Sequence, residues 1–507
     1  MTVGWIALAL FYLVSLFYIA RWGDKNSVTA RWLTSHPAVY SLALAIYCSA
    51  WTFFGSVGQA SRFSWTYLPI LLGPILLYVF GYRFIYKMTL VSKKQHITTI
   101  ADFIASRYGK RQPVALLVTV IALLATIPYI ALQLKAIGAT FQLLTQQSDT
   151  RFIIVVATVF IALFAIYFGT RQTDVTEYRR GLMLAISFES SIKLLALVLV
   201  AIVGYTTWNE QGVSAITELF FTSEALSQLS SSSFLAETIM AAAAVICLPR
   251  QFHVAIVDNL SLSHLKTARW LFPLYLTIIA LVIPIIAIAG NQLFAGTGVE
   301  PDTYVLSMAM YSDSLLLQII VFVGGLSAAT AMIIVATLTL STMLTNDVIL
   351  PRLLSRSQHS SGTGDYSAQI RLIRRIAIGV ILLLAFVYHQ QMTTSRSLHS
   401  IGLIAFSLVM QLLPAILGAL YWKRGHAYGV YAGLVAGLFC WTVWLAMPLL
   451  STAPRAMAST DLQGHGALLN MLANALVYVL VSIMTSPRLV DRLQAEAFVA
   501  PAGAPLP

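Results

Sequence analysis

The sequence predicts an all-α polytopic membrane protein with 13 transmembrane helices. Apolar runs recur at bilayer length along the chain. Of its 507 residues, 58% are hydrophobic and only 10% charged. The few cations also gather on alternate connecting segments. A soluble protein carries about a quarter of its residues as charges, so a soluble multidomain enzyme is excluded.

Windows of about 20 apolar residues place spans near 4–20, 38–60, 65–87, 113–145, 151–170, 177–204 and 234–263. Six more lie near 269–292, 314–345, 371–389, 397–421, 428–449 and 466–485. The first has no basic residue before it and no clear small-residue cleavage site, so it reads as a retained helix rather than a signal peptide. Several exceed one crossing, which predicts tilt, breaks or extension beyond the lipid.

Of the 31 Lys and Arg residues, 25 fall on one set of alternate loops. The opposite set holds only Arg62, Arg151, Arg396 and Arg455, and Lys135 and Lys193 lie within spans. The positive-inside rule then puts the N-terminus outside and the C-terminus in the cytoplasm of a bacterial inner membrane. The net charge of +12 is thus a topology signal with anionic-lipid contact rather than a nucleic-acid footprint. Residues 1–485 read as the membrane domain. The tail 486–507 starts with a charged amphipathic piece and ends APAGAPLP, a linker-like composition. Cys48, Cys247 and Cys440 lie in apolar segments without ligand-like spacing, so neither a disulfide framework nor a metal site is expected. No nucleophile–base cluster or filter-like repeat is visible, which disfavours a membrane enzyme or a channel. No cofactor is expected.

Two spans carry interruptions. The second reads AIYCSAWTFFGSVGQASRFSW, where Gly55 and Gly58 predict the break. The seventh reads AAAAVICLPRQFHVAIVDN, where Pro249 removes a backbone donor and disfavours helix at Leu248. Irregular backbone at membrane depth persists only where it faces protein or a water-filled cavity. Interrupted segments in corresponding positions of two halves point to a transporter's central site.

The stretch LLPAILGALYWKRGHAYGVYAGLVAG at 412–437 resembles the sodium/solute symporter family, as do HITTIADFIASRYGKR at 96–111, YIALQLKAIGATFQLL at 129–144, Thr173–Asp174 and LSTMLTNDVILP at 340–351. The resemblance covers essentially the whole chain. It implies one extra N-terminal helix, a 5+5 inverted-repeat core and two C-terminal helices, with the two broken spans opening the repeats. LPRQFHVAIVDN at 248–259 is similar to the transporter-type module of CbrA-type sensor histidine kinases. That implies a kinase region in cis and, through it, a response regulator. These 507 residues have no room for a catalytic domain of their own.

In the family, sodium is held by backbone carbonyls of the first core helix and hydroxyls of the eighth. Registering on Asp347 puts Ala331 and Met332 at the hydroxyl positions, with Thr330 beside them, while Ala45 and Cys48 supply the carbonyls. Hard cations need several oxygen ligands, so the usual sodium site reads as degenerate and a proton as the coupling ion. Ionisable groups inside the membrane are functional candidates. Here they are Glu189 with Lys193, spaced to pair on one helical face, Asp174 with Glu177 near a cytoplasmic mouth, and His253.

The expected pocket lies where the broken helices cross, lined by Trp51, Thr52, Phe54, Gly55, Ser56, Tyr129, Gln133, Ala241, Val245 and Phe406. Freed N–H groups at a helix break suit a carboxylate. Together with the CbrA-type resemblance this implies an amino acid, histidine first, imported by alternating access. Two other readings stay open: a non-transporting amino-acid receptor on a transporter fold, and a sodium-coupled symporter.

Overall fold

The computed structural model describes residues 2–25, 27–145, 150–169, 179–207, 211–357, 367–391, 398–447 and 460–501. Asp174 and Glu177 lie outside them. Every regular element among the described residues is helical. The described residues are helical along the expected spans, interrupted at the two breaks. Eight helices are long and apolar enough to cross a membrane, or 11 if each sharply bent pair is one span.

α1 (Thr2–Gly23) lies at the periphery. α2 (Pro37–Tyr47) and α3 (Trp51–Tyr67) form the first broken span, bent by 70°. Pro37 opens α2 at a position where its missing N–H costs nothing, and the His36 side chain caps it. α4 (Pro69–Phe80) and α5 (Tyr82–Lys94) form a second bent pair, at 76°. α6 (Ile100–Arg107), capped by Thr99, follows. α7 (Gln112–Thr145), α8 (Arg151–Gly169) and α9 (Arg180–Thr206) complete the first half.

The second half opens with α10 (Ser232–Cys247), which Ser231 caps. At Leu248 the backbone turns extended, with ψ 125°, and the chain restarts as α11 (Pro249–Phe252) running into a π-helical turn, His253–Val257. Proline thus breaks the span where its chemistry dictates. α12 (His264–Leu293), α13 (Leu315–Leu353), α14 (Ser367–Gln391) and α15 (Leu398–Tyr421) follow. α16 (Ala427–Ala446) and α17 (Thr460–Met484) pack side by side. Gly429 and Gly433 bring their backbones close, because a Cβ on either would strike Ser482 or Asn474.

The first break departs from expectation. It falls at Cys48–Ala50, where Cys48 is extended with ψ 94°, and not at Gly55 or Gly58, which lie inside α3. Those glycines serve close approach instead. A Cβ on Gly55 would meet Leu398 and Trp51 at 3.0 Å, and one on Gly58 would sit 1.9 Å from the Asp302 carboxylate.

The tail also differs from a linker over part of its length. Leu489–Val499 is a helix, α18, whose Asp491 carboxylate accepts the Arg488 N–H at 3.1 Å. Asp491, Ala495 and Phe498 are buried. Arg107, itself buried, donates to the carbonyls of Ala419 and Trp422, and Lys87 donates to those of Leu420 and Val499. Lys423 and Glu496 form an exposed ion pair at 2.9 Å.

Candidate functional site

A broken helix strands backbone groups that must find partners inside the protein, and at the first break several of those partners can be named. The Leu44 carbonyl accepts Gln251 Nε2 at 2.9 Å, across to the second broken span. The Ala50 N–H goes to Gln133 Oε1 at 3.0 Å, and the Trp51 N–H to the Ser49 hydroxyl at 3.3 Å. The Ser49 hydroxyl in turn pairs with Tyr129 at 2.7 Å. The carbonyls of Cys48 and Ala45 accept from the Lys193 ammonium at 2.9 and 3.5 Å.

These bonds engage groups next to the expected pocket. The N–H groups of Ala50 and Trp51 are taken internally and do not wait for a carboxylate. Gln133 is likewise committed, its amide N–H going to the Tyr129 carbonyl at 3.3 Å, so it caps the break.

Glu189 and Lys193 do not bond to each other, although their spacing allows it. Glu189 Oε1 accepts the Tyr12 hydroxyl at 2.6 Å and the Thr330 hydroxyl at 2.9 Å. Lys193 turns to the carbonyls because they offer it oxygen atoms at the break, while two hydroxyls satisfy the carboxylate. All four side chains are buried. Tyr12 lies on α1, so the extra helix contributes a residue to the centre. Ala331 and Met332 are buried in the core beside Thr330 and bring no side-chain oxygen.

Next to this polar cluster lies an aromatic cage. Trp51 stands edge-on to Phe406 with centroids 4.8 Å apart, to His399 at 5.5 Å and to Tyr129 at 6.2 Å. Phe406 also packs on Tyr129 and Tyr47, at 6.0 Å each. Gly402 makes room for the indole, which a Cβ there would strike at 2.3 Å.

Of the expected pocket residues, Trp51, Tyr129 and Phe406 are therefore brought together. Phe54 turns to Gly325 on α13, and Ala241 packs against Gly73 on α4. Thr52, Ser56 and Val245 are buried near the breaks, and the Ser56 hydroxyl makes no hydrogen bond among the described residues. Val245 loses its helical donor because residue 249 is proline. His253 lies 3.5 Å from Asp258, and both are buried.

Three residues outside the expected pocket join these rings. Tyr47 and His399 close the cage. Arg250, grouped with loop cations by its position, is 1% exposed and lies over the Tyr129 ring at 4.5 Å. A cation directly after a proline break and within an apolar run was the available signal.

The end of the bundle that carries Arg62 holds a salt-bridged cluster. Arg62 pairs with Asp302 and Glu300, each at 3.1 Å, and the Leu398 N–H reaches Asp302 at 3.5 Å. Burial raises the Asp302 carboxyl above its usual range, and Arg62 opposes that shift.

No protein-family model matches the chain. It is 24% identical over 411 residues to the uncharacterized symporter YodF of Bacillus subtilis strain 168, covering 79% of this chain and 77% of that protein. Among solved structures it is similar to a Na⁺-coupled sialic acid symporter in a substrate-bound outward-open state, with TM-score 0.69 and 14% identity, over 95% of this chain and 98% of that one. A nucleobase–cation–symport-1 family transporter in a closed conformation with bromovinylhydantoin bound matches with TM-score 0.49 and 14% identity, over 90% and 95% of the two chains. This multi-pass membrane protein therefore has the fold of the sialic acid symporter.

Proposed function

We propose that this protein is a secondary transporter that imports an amino acid, histidine first, by alternating access and with protons as the coupling ion. One observation carries the reading of the ion: Lys193 supplies a resident cation to the carbonyls of Ala45 and Cys48. The family resemblance assigns those two oxygens to sodium. Protonated, the ammonium does for them what a metal cation does; deprotonated, it is a weaker, neutral donor. Glu189, one helical turn away, can receive and pass on the proton. His253 beside Asp258, and Asp174, remain candidates for its exit.

The fold shared with a symporter and the relation to YodF support transport. The aromatic cage supports a substrate with a flat ring, and the Val245 carbonyl, bereft of its helical donor, suits an ammonium group. The segregation of cations supports an N-terminus outside and a C-terminus in the cytoplasm of a bacterial inner membrane, with the Arg62 end outward.

The test is uptake of radiolabelled histidine into proteoliposomes with sodium and proton gradients imposed separately. Accumulation driven by the proton gradient alone is expected. Strict dependence on sodium would overturn the ion assignment, and binding without accumulation under either gradient would overturn transport.

A second reading, an amino-acid receptor, is favoured by the docked tail. Phe498 on α18 packs on Phe103 at 5.4 Å, and Phe103 on Phe252 at 5.8 Å, so rings connect the tail to the second broken span. On this reading occupancy would pass through residues 486–507 to a kinase region in cis and thence to a response regulator. The two readings are compatible, because flux and signalling can share one pocket.

A further inference from the structure

The polar groups of the first break are spoken for, but one cation is not. Arg250 is 1% exposed, and none of its three guanidinium nitrogens has a hydrogen-bond partner among the described residues. It lies over the face of Tyr129 at 4.5 Å. A guanidinium has five N–H donors in a planar fork and stays protonated in proteins. Cation–π attraction to a tyrosine satisfies none of those donors. A buried charge without a hydrogen-bonded partner is among the costliest features a fold can retain.

The surrounding charge points the same way. The buried charged groups named at the first break and the cage are Lys193, Arg250 and Glu189, beside the phenols of Tyr12, Tyr47 and Tyr129, the thiol of Cys48 and the imidazole of His399. Glu189 is engaged by two hydroxyls and Lys193 by two carbonyls. The charged groups thus leave one positive charge in excess, and it lies on the wall of the aromatic cage. A single anionic group brought in by a ligand would balance it, and a carboxylate matches the guanidinium fork in shape.

We propose that Arg250 anchors the carboxylate of the transported substrate, with the rings of Trp51, Tyr129 and Phe406 holding the remainder. This rests on the transporter reading and deepens it. The carboxylate is placed on the second broken span, in place of the first-break N–H groups that are already satisfied. Occupancy would then tie α11 to the cage, which belongs to the other half and to α15. The ligand would need a free carboxylate, whereas its ammonium and ring would set selectivity.

The test uses the full chain in detergent, with binding followed by titration calorimetry and by thermal shift. The probes are L-histidine, histamine, which lacks the carboxylate, L-histidine methyl ester, the other common amino acids, and lactate, pyruvate and benzoate. Histidine is expected to bind, and histamine and the ester to bind roughly 100-fold more weakly or not at all, the scale of removing one partner of a buried charge pair. Arg250→Met is expected to lose histidine binding by a similar factor, and Arg250→Lys, which keeps charge but not the fork, by roughly tenfold.

Thermal melting of the ligand-free variants separates anchoring from a structural role. Removing an unpaired buried cation should leave the empty Arg250→Met protein as stable as the parent or more so, whereas a structural arginine would leave it less stable. Histidine binding undiminished in Arg250→Met, histamine binding as tightly as histidine, or a melting temperature lowered by several degrees would each overturn the assignment while leaving transport intact. Arg250-dependent binding of another carboxylate, with no amino acid bound, would uphold the anchor and refute the amino-acid reading. Failure of every carboxylate to bind would refute both.

Discussion

The Lys193 ammonium donates to the Cys48 carbonyl oxygen at 2.9 Å, from a helix that crosses the first broken span at its unwound residues. Glu189, on the same helix, is held by Tyr12 and Thr330 instead. A cation and an anion four residues apart thus make their hydrogen bonds in two different clusters.

Lys193→Met is expected to abolish proton-driven uptake. It removes the resident cation and leaves the Cys48 carbonyl buried and unpaired, a cost of about 1–3 kcal/mol. Proteoliposome uptake under an imposed pH gradient checks this. Undiminished accumulation by the variant would refute the coupling role of Lys193.

Tyr12→Phe tests whether α1 is structurally bound to the centre. The Glu189 carboxylate would lose its 2.6 Å donor, which should lower stability by about 1–3 kcal/mol. The neighbouring Phe11, 72% exposed, provides a control, since its replacement by alanine should cost less than about 0.5 kcal/mol. Thermal melting in one detergent compares the two. Equal effects would mean that the Tyr12–Glu189 bond carries no weight.

Gly58→Ala should loosen the Arg62 end of the bundle. The added Cβ would lie 1.9 Å from the Asp302 carboxylate, so the Arg62–Asp302 pair must move or the helix must shift. Overpacking of this kind costs about 1–3 kcal/mol. Hydrogen exchange should quicken over residues 56–63 and 398–402, and unchanged protection there would contradict the close approach.

The same cluster predicts a pH dependence. Burial raises the Asp302 carboxyl above its ordinary value, and the pull of Arg62 does not fully offset it. The closed cluster therefore binds a proton more tightly than an open, solvated one. Closure should gain as pH falls through the window between the raised value and the ordinary one, and lose as pH rises back through it. Protection at residues 398–402, followed across that window, should increase on acidification. Asp302→Asn should flatten the response, and a profile that rises with pH would reverse the sign argued here.

Phe498→Ala should undock α18. Truncating a fully buried phenylalanine costs about 3–5 kcal/mol, more than a short exposed helix can spare. Faster exchange over 489–499 with little change in α7 is the expected pattern. Leu493→Ala, at a side chain 63% exposed, should leave it unaltered.

The spans, the fold class and the break at Leu248 were legible in the sequence because each follows from local chemistry. Bilayer-length apolar runs admit one backbone solution, and Pro249 has no N–H to give. Trp51, Tyr129 and Phe406 were expected to share one pocket, and the fold brings their rings together. What the sequence could not rank was competition between partners. Gly55 and Gly58 look like helix breakers, but Asp302 and Trp51, distant in the chain, use them for close approach, and the break falls at Cys48–Ala50. Gln133 offers a donor and an acceptor in the sequence, and the fold aims its oxygen at the Ala50 N–H. Glu189 and Lys193 look like a pair until Tyr12, Thr330 and the Cys48 carbonyl outbid each for the other. Arg250 looks like a loop cation until tertiary packing buries it against Tyr129 with its donors unmet. A buried polar group is satisfied by whichever partner the fold brings within 3 Å, and only the assembled bundle decides which one that is.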